Sequence, residues 1–250
     1  MPDALSDAGA ARHELERLLE TDAPALRARL PAGFADAAER YVELLLDANA
    51  RINLTRIVEP AAVARLHLLD ALSAVPLLDE LAPRRALDLG SGGGVPGIVL
   101  ALARPDVSWT LVDSVRRKAD AMRGFVEALG LHNVAVIAER AEILGRDASA
   151  REAFDLVAAR ACAPLPVLAE YALPLIRVGG ALVAWKGSVP ADELRAGRAA
   201  GSDLGGGALE LHDTGITALG DHQFVVIRKV GPTPGRFPRR PGQPTGRPLG

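Results

Sequence analysis

A short segment with five glycines and one aspartate carries the clearest chemical signal in this sequence. Residues Ala86–Gly97 read ALDLGSGGGVPG, an apolar run that holds Asp88 and then turns into glycines. This pattern is typical of a strand that turns sharply into a helix. Glycines at such a turn allow positive φ and leave main-chain N–H groups open to a ligand. We therefore expect this loop to hold a nucleotide-like cofactor.

The spacing of these glycines bears on which nucleotide the loop would hold. The dinucleotide pattern GxGxxG, started at Gly90, requires a glycine where this chain has Val95. The Gly-Lys-Ser/Thr of a P-loop is also missing. These departures disfavour a nicotinamide or flavin dinucleotide, although an oxidoreductase stays open as an alternative. Asp88, two residues before the first glycine, can interact directly or through water with an ammonium group, such as that of S-adenosylmethionine.

A second carboxylate follows the next predicted strand. Asp113 comes directly after the apolar stretch Ser108–Val112 and lies 19 residues after Gly94. In doubly wound folds, a carboxylate at this place can accept hydrogen bonds from ribose hydroxyls. Asp113 can equally cap the following helix, as can Ser114. Combined with the glycine loop, its position favours the ribose role and S-adenosylmethionine as the cofactor.

The rest of the chain shows the alternation of strands and helices that positions such a site. From Arg85 onward, apolar stretches alternate with helix-like stretches, which predicts a parallel sheet covered on both faces. We expect the last two strands to pair as an antiparallel hairpin at one edge. The fold is therefore predicted as α/β and doubly wound, a mostly parallel seven-stranded Rossmann-like sheet of the class I S-adenosylmethionine-dependent methyltransferase type. The predicted strands are Ala86–Leu89, Ser108–Val112, Val134–Ala138, Phe154–Ala159, Gly180–Trp185, Leu209–Leu211 and Phe224–Ile227.

Three regions are predicted along the chain. Residues 1–80 form an N-terminal helical extension, because apolar residues recur there at helical spacing. Residues 81–230 form the Rossmann-like core, in which four glycines between Gly201 and Gly207 predict a flexible loop. Residues 231–250 hold six prolines, five glycines and four arginines without an acid, which predicts an extended basic arm without a helix.

Composition limits the other classes of protein. The single cysteine, Cys162, excludes an intrachain disulfide and a Cys-rich zinc site, so we expect no bound metal. The segment Met1–Ala11 lacks the basic start and apolar core of a secretory signal. Near the loop, the apolar stretch Val95–Ala103 is too short to span a bilayer. We therefore expect a cytoplasmic protein without membrane association.

The segment after the fourth predicted strand bears on the reaction. Residues Ala158–Leu165 read AARACAPL, which lacks the Asn/Asp-Pro-Pro-aromatic run of enzymes that methylate exocyclic amino groups. Cys162 does not follow a proline, as it would in enzymes that methylate pyrimidine C5, so we expect a small buried residue there. A ring nitrogen such as guanine N7 presents its lone pair in the plane of the base and needs no general base. The lack of an evident acid–base pair therefore fits in-line positioning of such a nitrogen.

With these motifs in place, most of the chain resembles a known family, the bacterial small-subunit rRNA guanine-N7 methyltransferases called RsmG or GidB. The V-P-G end of the glycine loop and the P-R-R-P-G of the arm are the most specific parts of the resemblance. The matching segments are Asn53–Thr55, His67–Asp70, Asp88–Gly97, Leu111–Lys118, Arg140–Glu142, Ala159–Ala161, Trp185–Gly187, Arg228–Lys229 and Pro238–Gly242.

The resemblance implies a cytosolic enzyme that uses S-adenosylmethionine to methylate N7 of a guanine in the decoding region of 16S rRNA. No catalytic acid–base residue is expected, and Arg160 and Lys186 are the candidates for positioning the acceptor. Two departures, Leu66 before His67 and Ala71 after Asp70, leave His67 and Asp70 equally readable as a helix-packing pair. The residues expected to contact the cofactor or line its pocket are Asp88, Gly90, Gly92, Val95, Asp113, Ala141, Glu142 and Arg160.

Recognition of RNA is expected to depend on phosphates and shape, because only 4% of the residues are aromatic and could stack on bases. We expect a monomer that binds 16S rRNA or the small subunit, and an arm whose removal weakens RNA binding but spares cofactor binding. A methyltransferase for a small molecule or another RNA atom, and a non-catalytic RNA-binding protein of the same fold, remain alternatives. The candidate RNA contacts are Arg116, Arg117, Lys118, Lys186, Arg228, Lys229, Arg236, Arg239 and Arg240.

Overall fold

A computed structural model describes residues 6–250, and its centre is one seven-stranded sheet. The strand order is β3-β2-β1-β4-β5-β7-β6, and β7 runs opposite to the other six strands of this sheet. This arrangement confirms the predicted mostly parallel Rossmann-like sheet with a hairpin at one edge. The strands are β1 (Arg85–Leu89), β2 (Ser108–Asp113), β3 (Val134–Ala138), β4 (Phe154–Arg160), β5 (Ile176–Lys186), β6 (Gly206–Asp213) and β7 (Gln223–Lys229).

Helices cover both faces of the sheet. Because side chains alternate along a strand, Leu182 and Ala184 of β5 enter one core while Val183 and Trp185 enter the other. The first core lies against α9, α10 and α11, and the second against the N-terminal helices, α7 and α8. The helices are α1 (Asp7–Thr21), α2 (Pro24–Arg27), α3 (Phe34–Asn49), α4 (Pro60–Val63), α5 (Asp70–Leu72), α6 (Val75–Leu81), α7 (Gly97–Ala103), α8 (Arg116–Ala128), α9 (Ala141–Leu144), α10 (Leu165–Ala172), α11 (Ala191–Asp203) and α12 (Gln243–Gly246).

The described part of the predicted helical extension is helical over most of its length. Its first five residues, which also begin the Met1–Ala11 segment, lie outside the described residues. Helix α4 begins at Pro60 and continues through a π-helical stretch, Ala64–Leu69, into α5. Such π-helical turns inside α-helices are frequent at functional sites. The apolar run Pro60–Leu81 is long enough to cross a membrane, but 72% of its most apolar window is buried in this fold.

One N-terminal helix is bonded directly to the glycine loop. The Tyr41 hydroxyl of α3 donates to the Gly93 carbonyl at 2.8 Å, and the Tyr41 side chain is fully buried. Burial also raises the pKa of Tyr41, so the hydroxyl keeps the proton that it donates. Helix α3 therefore helps to define the shape of the loop.

Two predicted irregular segments are ordered differently in the structure. The glycines between Gly201 and Gly207 end α11 and begin β6 instead of forming a flexible loop. A Cβ on Gly206 would lie only 2.8 Å from Ile227 Cγ2, so a small residue is needed where α11 and β6 meet the sheet. The arm contains one helical turn, α12, with a proline in its first turn, where proline is compatible with a helix.

Candidate active site

A groove made of three connected hollows runs along the edge where the parallel strands end. The outer hollow lies beyond β1, β2 and α9, the middle hollow lies over the glycine loop, and the histidine hollow lies beside the π-helical stretch. Gly90 lines both the outer and the middle hollow. Arg160 and His67 line both the middle and the histidine hollow, which encloses about 650 Å³. The shared residues fix the order of the hollows along the groove.

The outer hollow brings together residues that were predicted to bind the nucleoside. Asp113, at the end of β2, accepts hydrogen bonds from the backbone N–H of Gly92 at 3.0 Å and of Val115 at 2.8 Å. Each of its oxygens keeps a further lone pair, and the carboxylate lines the hollow. Ala141 and Glu142 line the same hollow from the first turn of α9. This donor and acceptor set fits the hydroxyls and base of an adenosine.

The glycine loop has the backbone shape that only glycine adopts readily. Gly90, Gly92 and Gly94 have φ of 74°, 58° and 96°, all in the left-handed region. The loop is tied to β2, since the N–H groups of Gly90 and Ser91 both donate to the Val112 carbonyl. The loop lines the middle hollow with mostly small residues, namely Gly90, Ser91, Gly92, Gly93 and Val95. The predicted loop residues Gly90, Gly92 and Val95 therefore lie in the groove.

Asp88 lies in β1, as predicted, and is bonded to the start of α7. Its Oδ2 accepts from the Gly97 N–H at 2.9 Å, at the start of α7, and its side chain is fully buried. Burial raises the pKa of Asp88 to about 6, and Oδ1 has no hydrogen-bond partner within residues 6–250. Asp88 lines none of the three hollows. Asp88 therefore holds the loop against α7, and its contact with a ligand ammonium, directly or through water, stays a prediction.

Arg160 connects the sheet to the helical extension. From the end of β4, its guanidinium donates to the Leu66 carbonyl at 2.5 Å, to Asp70 Oδ2 at 3.2 Å and to His67 Nδ1 at 3.1 Å. The next residue, Ala161, has φ of 51°, an unusual value for a residue with a side chain. This strained turn is a feature that clusters at functional sites. Arg160 therefore stands between the middle and histidine hollows.

His67 is neutral in this arrangement. Because Arg160 donates to Nδ1, the proton of the ring lies on Nε2, which donates to Thr55 Oγ1 at 2.8 Å. Burial, followed by the nearby charge of Arg160, lowers the pKa of His67 to about 4. The sequence left His67 and Asp70 open between site residues and a helix-packing pair. The structure places both on the wall of the histidine hollow.

His222 is a site residue that sequence reasoning missed. Its Nδ1 lies 2.8 Å from Asp70 Oδ1, although the two residues are 152 positions apart. The Trp185 indole N–H donates to the backbone carbonyl of Asp70 at 2.9 Å and closes the same wall. The structure thus brings an Asp–His pair to the wall of the hollow, and the expectation that the reaction needs no acid–base residue stays a prediction. No local motif marks His222, because the pair forms only when β7 returns beside β5.

Two residues beyond β4 and β5 also border the groove. Lys186 lines the histidine hollow, and its Nζ donates to the Ala163 carbonyl at 3.1 Å and to Glu193 Oε1 at 2.9 Å. Cys162 lines the outer hollow and is exposed, which corrects the prediction of a buried residue. The reversal at Ala161 turns the following side chain outward from the end of β4.

The predicted RNA contacts divide into exposed and internal cations. Lys229 is only 1% exposed, and its Nζ donates to Thr233, Glu152 and the carbonyls of Leu173 and Ile176. The prediction that Lys229 contacts RNA is therefore wrong, because its ammonium is buried and donates to acceptors inside the fold. Arg239 faces the fully buried Glu170, and Arg228 pairs with Glu80. The exposed members of the set are Arg116, Arg117, Arg236 and Arg240, with Lys118 half-buried.

The sequence of this chain matches a family of known proteins. The family model described as GidB, rRNA small subunit methyltransferase G, matches residues 35–215. The ribosomal RNA small subunit methyltransferase G of Deinococcus radiodurans is 40% identical over all of this chain and 96% of its own length. The chain belongs to this family. It is therefore an S-adenosylmethionine-dependent methyltransferase of the rRNA small subunit methyltransferase G family.

Further comparisons agree with this assignment. The member of the family from Chloroflexus aggregans is 43% identical to this chain and covers 84% of it, or 88% of its own length. Among solved structures, a protein from Methanococcus maripaludis assigned as an S-adenosyl-L-methionine-dependent methyltransferase has a TM-score of 0.54 at 12% identity. That match covers 76% of this chain and 92% of the other. It supports the class I methyltransferase fold.

Proposed function

We propose that the protein methylates N7 of a guanine in the decoding region of 16S rRNA. The observation that carries the proposal is the order of the groove, in which the hollow lined by Asp113 and Glu142 leads over the glycine loop to a separate hollow at Arg160 and His67. A cofactor that spans the outer and middle hollows would present its reactive end to the histidine hollow, where an acceptor base would enter.

The outer and middle hollows carry the groups that would hold S-adenosylmethionine. Asp113 would accept from the ribose hydroxyls, and the first turn of α9, with Ala141 and Glu142, would lie along the adenine. Gly90 and Gly92 would lie along the amino-acid end, in a floor that a side chain would fill, while their N–H groups already donate to Val112 and Asp113. When bound, this cofactor supplies a methyl group activated on a sulfonium.

The histidine hollow would orient the acceptor. Guanine N7 needs no proton removed, so the residues around it contribute position and charge balance. Trp185 offers an apolar wall, and Lys186 keeps its ammonium at the rim through Glu193 and Ala163. Arg160 cannot turn freely, because three acceptors hold its guanidinium. Together they would align a base in line with the methyl group.

A second candidate reaction is favoured by the Asp70–His222 pair. With Nδ1 donating to the carboxylate, a neutral His222 has a free Nε2 lone pair, which is the arrangement of a general base. An acceptor that must lose a proton, such as a ribose hydroxyl or an exocyclic amino group, would use that lone pair. Under the first proposal, Asp70 instead anchors Arg160, and His222 shapes the hollow.

The RNA would lie on the exposed cations around the groove. Arg56 is exposed and lines the histidine hollow, while Arg116 and Arg117 stand at the N-terminus of α8. The partner we propose is 16S rRNA or the small subunit, approached as a monomer. Phosphate contacts of this kind make binding depend on salt.

The test is to incubate the full chain with labelled S-adenosylmethionine and either 16S rRNA or small subunits that lack the modification, then to identify the labelled nucleoside by mass spectrometry. We expect 7-methylguanosine. Another methylated nucleoside supports the second candidate, and His222→Ala would then abolish turnover. No methyl transfer to either RNA overturns both, and leaves a small-molecule substrate or a non-catalytic role.

A further inference from the structure

The C-terminal arm (residues 231–250) is bonded to the two helices that line the outer hollow. On α10, Glu170 accepts from the backbone and the guanidinium of Arg239 at 2.5 to 3.0 Å. Glu170 is fully buried, and the next residue, Tyr171, lines the outer hollow. On α9, Glu142 accepts from the Gly242 N–H at 2.9 Å and lines the same hollow. The arm thus contacts the hollow through two independent connections.

A third connection holds the arm in place from below. The Arg151 guanidinium donates to the Phe237 carbonyl and to the Thr233 carbonyl, both at 2.8 Å, and to Gly145 at 3.0 Å. Phe237 is buried in the core beside α10, and Pro238 packs against Gly145, directly after α9. Arg151 therefore joins the end of α9 to the arm.

The short length of α9 makes these contacts decisive for its position. A helix of four residues has almost no stability of its own, so its place depends on what it packs against. The backbone of Gly242 has φ of 84°, which is the conformation that directs its N–H to Glu142. The position of Glu142 is therefore set by the arm as well as by β3.

We propose that the C-terminal arm positions the cofactor site, with the Glu170–Arg239 pair and the Gly242 N–H holding Tyr171 and Glu142 where the nucleoside binds. The proposal rests on the proposed function only in assigning S-adenosylmethionine to the outer hollow. It replaces the expectation that the arm serves RNA binding alone and that its loss spares cofactor binding. Arg239 is a positioning residue, because it acts through Glu170 and does not itself line the hollow.

The test removes the pair without leaving a buried charge. Arg239→Ala alone would strand the Glu170 carboxylate and destabilise the whole fold. In the full chain, Glu170→Gln combined with Arg239→Met removes both charges and keeps similar volumes. We expect the Kd for S-adenosylmethionine, measured by calorimetry, to rise about tenfold, while the Tm without cofactor stays within a few degrees of the parent. A merely structural pair would change the Tm and leave the Kd unchanged.

The matched control is an exposed ion pair of the same chemistry, Glu43→Gln combined with Arg40→Met on α3, which should leave the Kd unchanged. Arg239→Lys keeps a cation against Glu170 but loses the guanidinium that donates to both carboxylate oxygens, so it should raise the Kd by a smaller factor. If the double variant does not fold, the Kd of Arg239→Lys tests the proposal. Parent affinity in both arm variants overturns the proposal. A parent chain that fails to bind S-adenosylmethionine would instead defeat the proposed function.

Discussion

Asp70 and Arg160 form an ion pair at 3.2 Å, although they lie 90 residues apart and on different parts of the fold. Asp70 begins α5, directly after the π-helical stretch of the helical extension, and Arg160 ends β4 of the sheet. The Asp70 side chain is 3% exposed, and its two carboxylate oxygens face Arg160 and His222. The histidine hollow is therefore assembled jointly by the extension and the sheet.

The first prediction concerns the energy of this pair. Asp70→Asn and Arg160→Lys should each destabilise the protein, and the double variant should be more stable than the sum predicts. A coupling free energy of about 0.5–3 kcal/mol is expected for residues in one buried network. Urea unfolding of the four proteins gives this value. Additive effects would contradict a direct interaction.

The second prediction concerns the proposed ribose contact. Asp113→Ala should weaken S-adenosylmethionine binding by about tenfold or more, since hydrogen bonds to a charged group contribute roughly 1.5–3 kcal/mol. Calorimetry measures the change. Asp120→Ala, which removes an exposed carboxylate on α8, is the control and should bind like the parent. Equal affinities for the Asp113 variant and the parent would refute the contact.

The third prediction compares two glycine substitutions. A Cβ on Gly97 would lie 2.3 Å from Leu111 Cδ2 and 2.7 Å from Asp88 Oδ2, so Gly97→Ala should destabilise the protein by about 1–3 kcal/mol through overpacking. Gly124, inside α8, has no atom within 4 Å of such a Cβ, so Gly124→Ala should stabilise by about 0.5–1 kcal/mol. Thermal unfolding checks both signs. A tolerated Gly97→Ala would mean that the loop and α7 can separate.

The fourth prediction concerns pH. The pKa of His67 is lowered to about 4 from an ordinary 6.5. Between these pH values the His67 side chain binds more protons in the unfolded chain than in the folded one, so the stability that neutral His67 contributes is lost as the pH falls. The pKa of Asp88 is raised to about 6 from 3.8, so its contribution is lost as the pH rises through that window. The two contributions oppose each other between about pH 4 and 6.

The single variants should separate them. The free energy of unfolding of the parent minus that of His67→Gln should increase with pH between about 4 and 6.5, and the same difference for Asp88→Asn should decrease between about 4 and 6. Urea unfolding at a series of pH values measures both slopes. A slope of zero would show that the group titrates with its ordinary pKa, and slopes of the same sign would contradict the direction of one of the two shifts.

The fifth prediction concerns RNA. Arg116→Ala combined with Arg117→Ala should weaken binding to 16S rRNA and lower the salt slope of log K by about one for each phosphate that is no longer neutralised. Arg27→Ala combined with Arg40→Ala removes two exposed arginines from the helical extension and serves as a control of equal charge. Filter binding at several salt concentrations gives the slopes. An identical decrease of the slope in both variants would indicate an effect of net charge alone.

The sheet and the loop were readable from the sequence because they depend on local patterns. Strands β2 and β3 begin where alternation of apolar stretches placed them, and the glycine loop turns between β1 and α7 as its composition indicates. Asp113, Ala141 and Glu142 reach one hollow because parallel strands all end at the same edge of the sheet. Residues that follow different strands in the sequence therefore become neighbours in the folded protein.

The remaining features depend on burial and long-range pairing, which no local pattern reveals. His222 joins the site only through Asp70, and Lys229 is consumed inside the fold by groups from the arm and β5. Asp88 stands one layer behind the loop, because the close approach of Gly97 occupies one of its oxygens. The sequence therefore placed Asp88 in the correct strand, but the roles of Asp88 and Lys229 depend on hydrogen-bond partners that the sequence does not reveal.

The hydrogen bond from Tyr41 to the Gly93 carbonyl makes the glycine loop and α3 parts of one cooperative unit. A ligand that stabilises the loop also stabilises the helix behind it, by thermodynamic linkage. Amide hydrogens of α3 should therefore exchange more slowly with solvent once the groove is filled, even though Tyr41 lines none of the three hollows. Occupancy of the groove would thus be reported by amide protection along α3, which itself lines the middle hollow through Leu45.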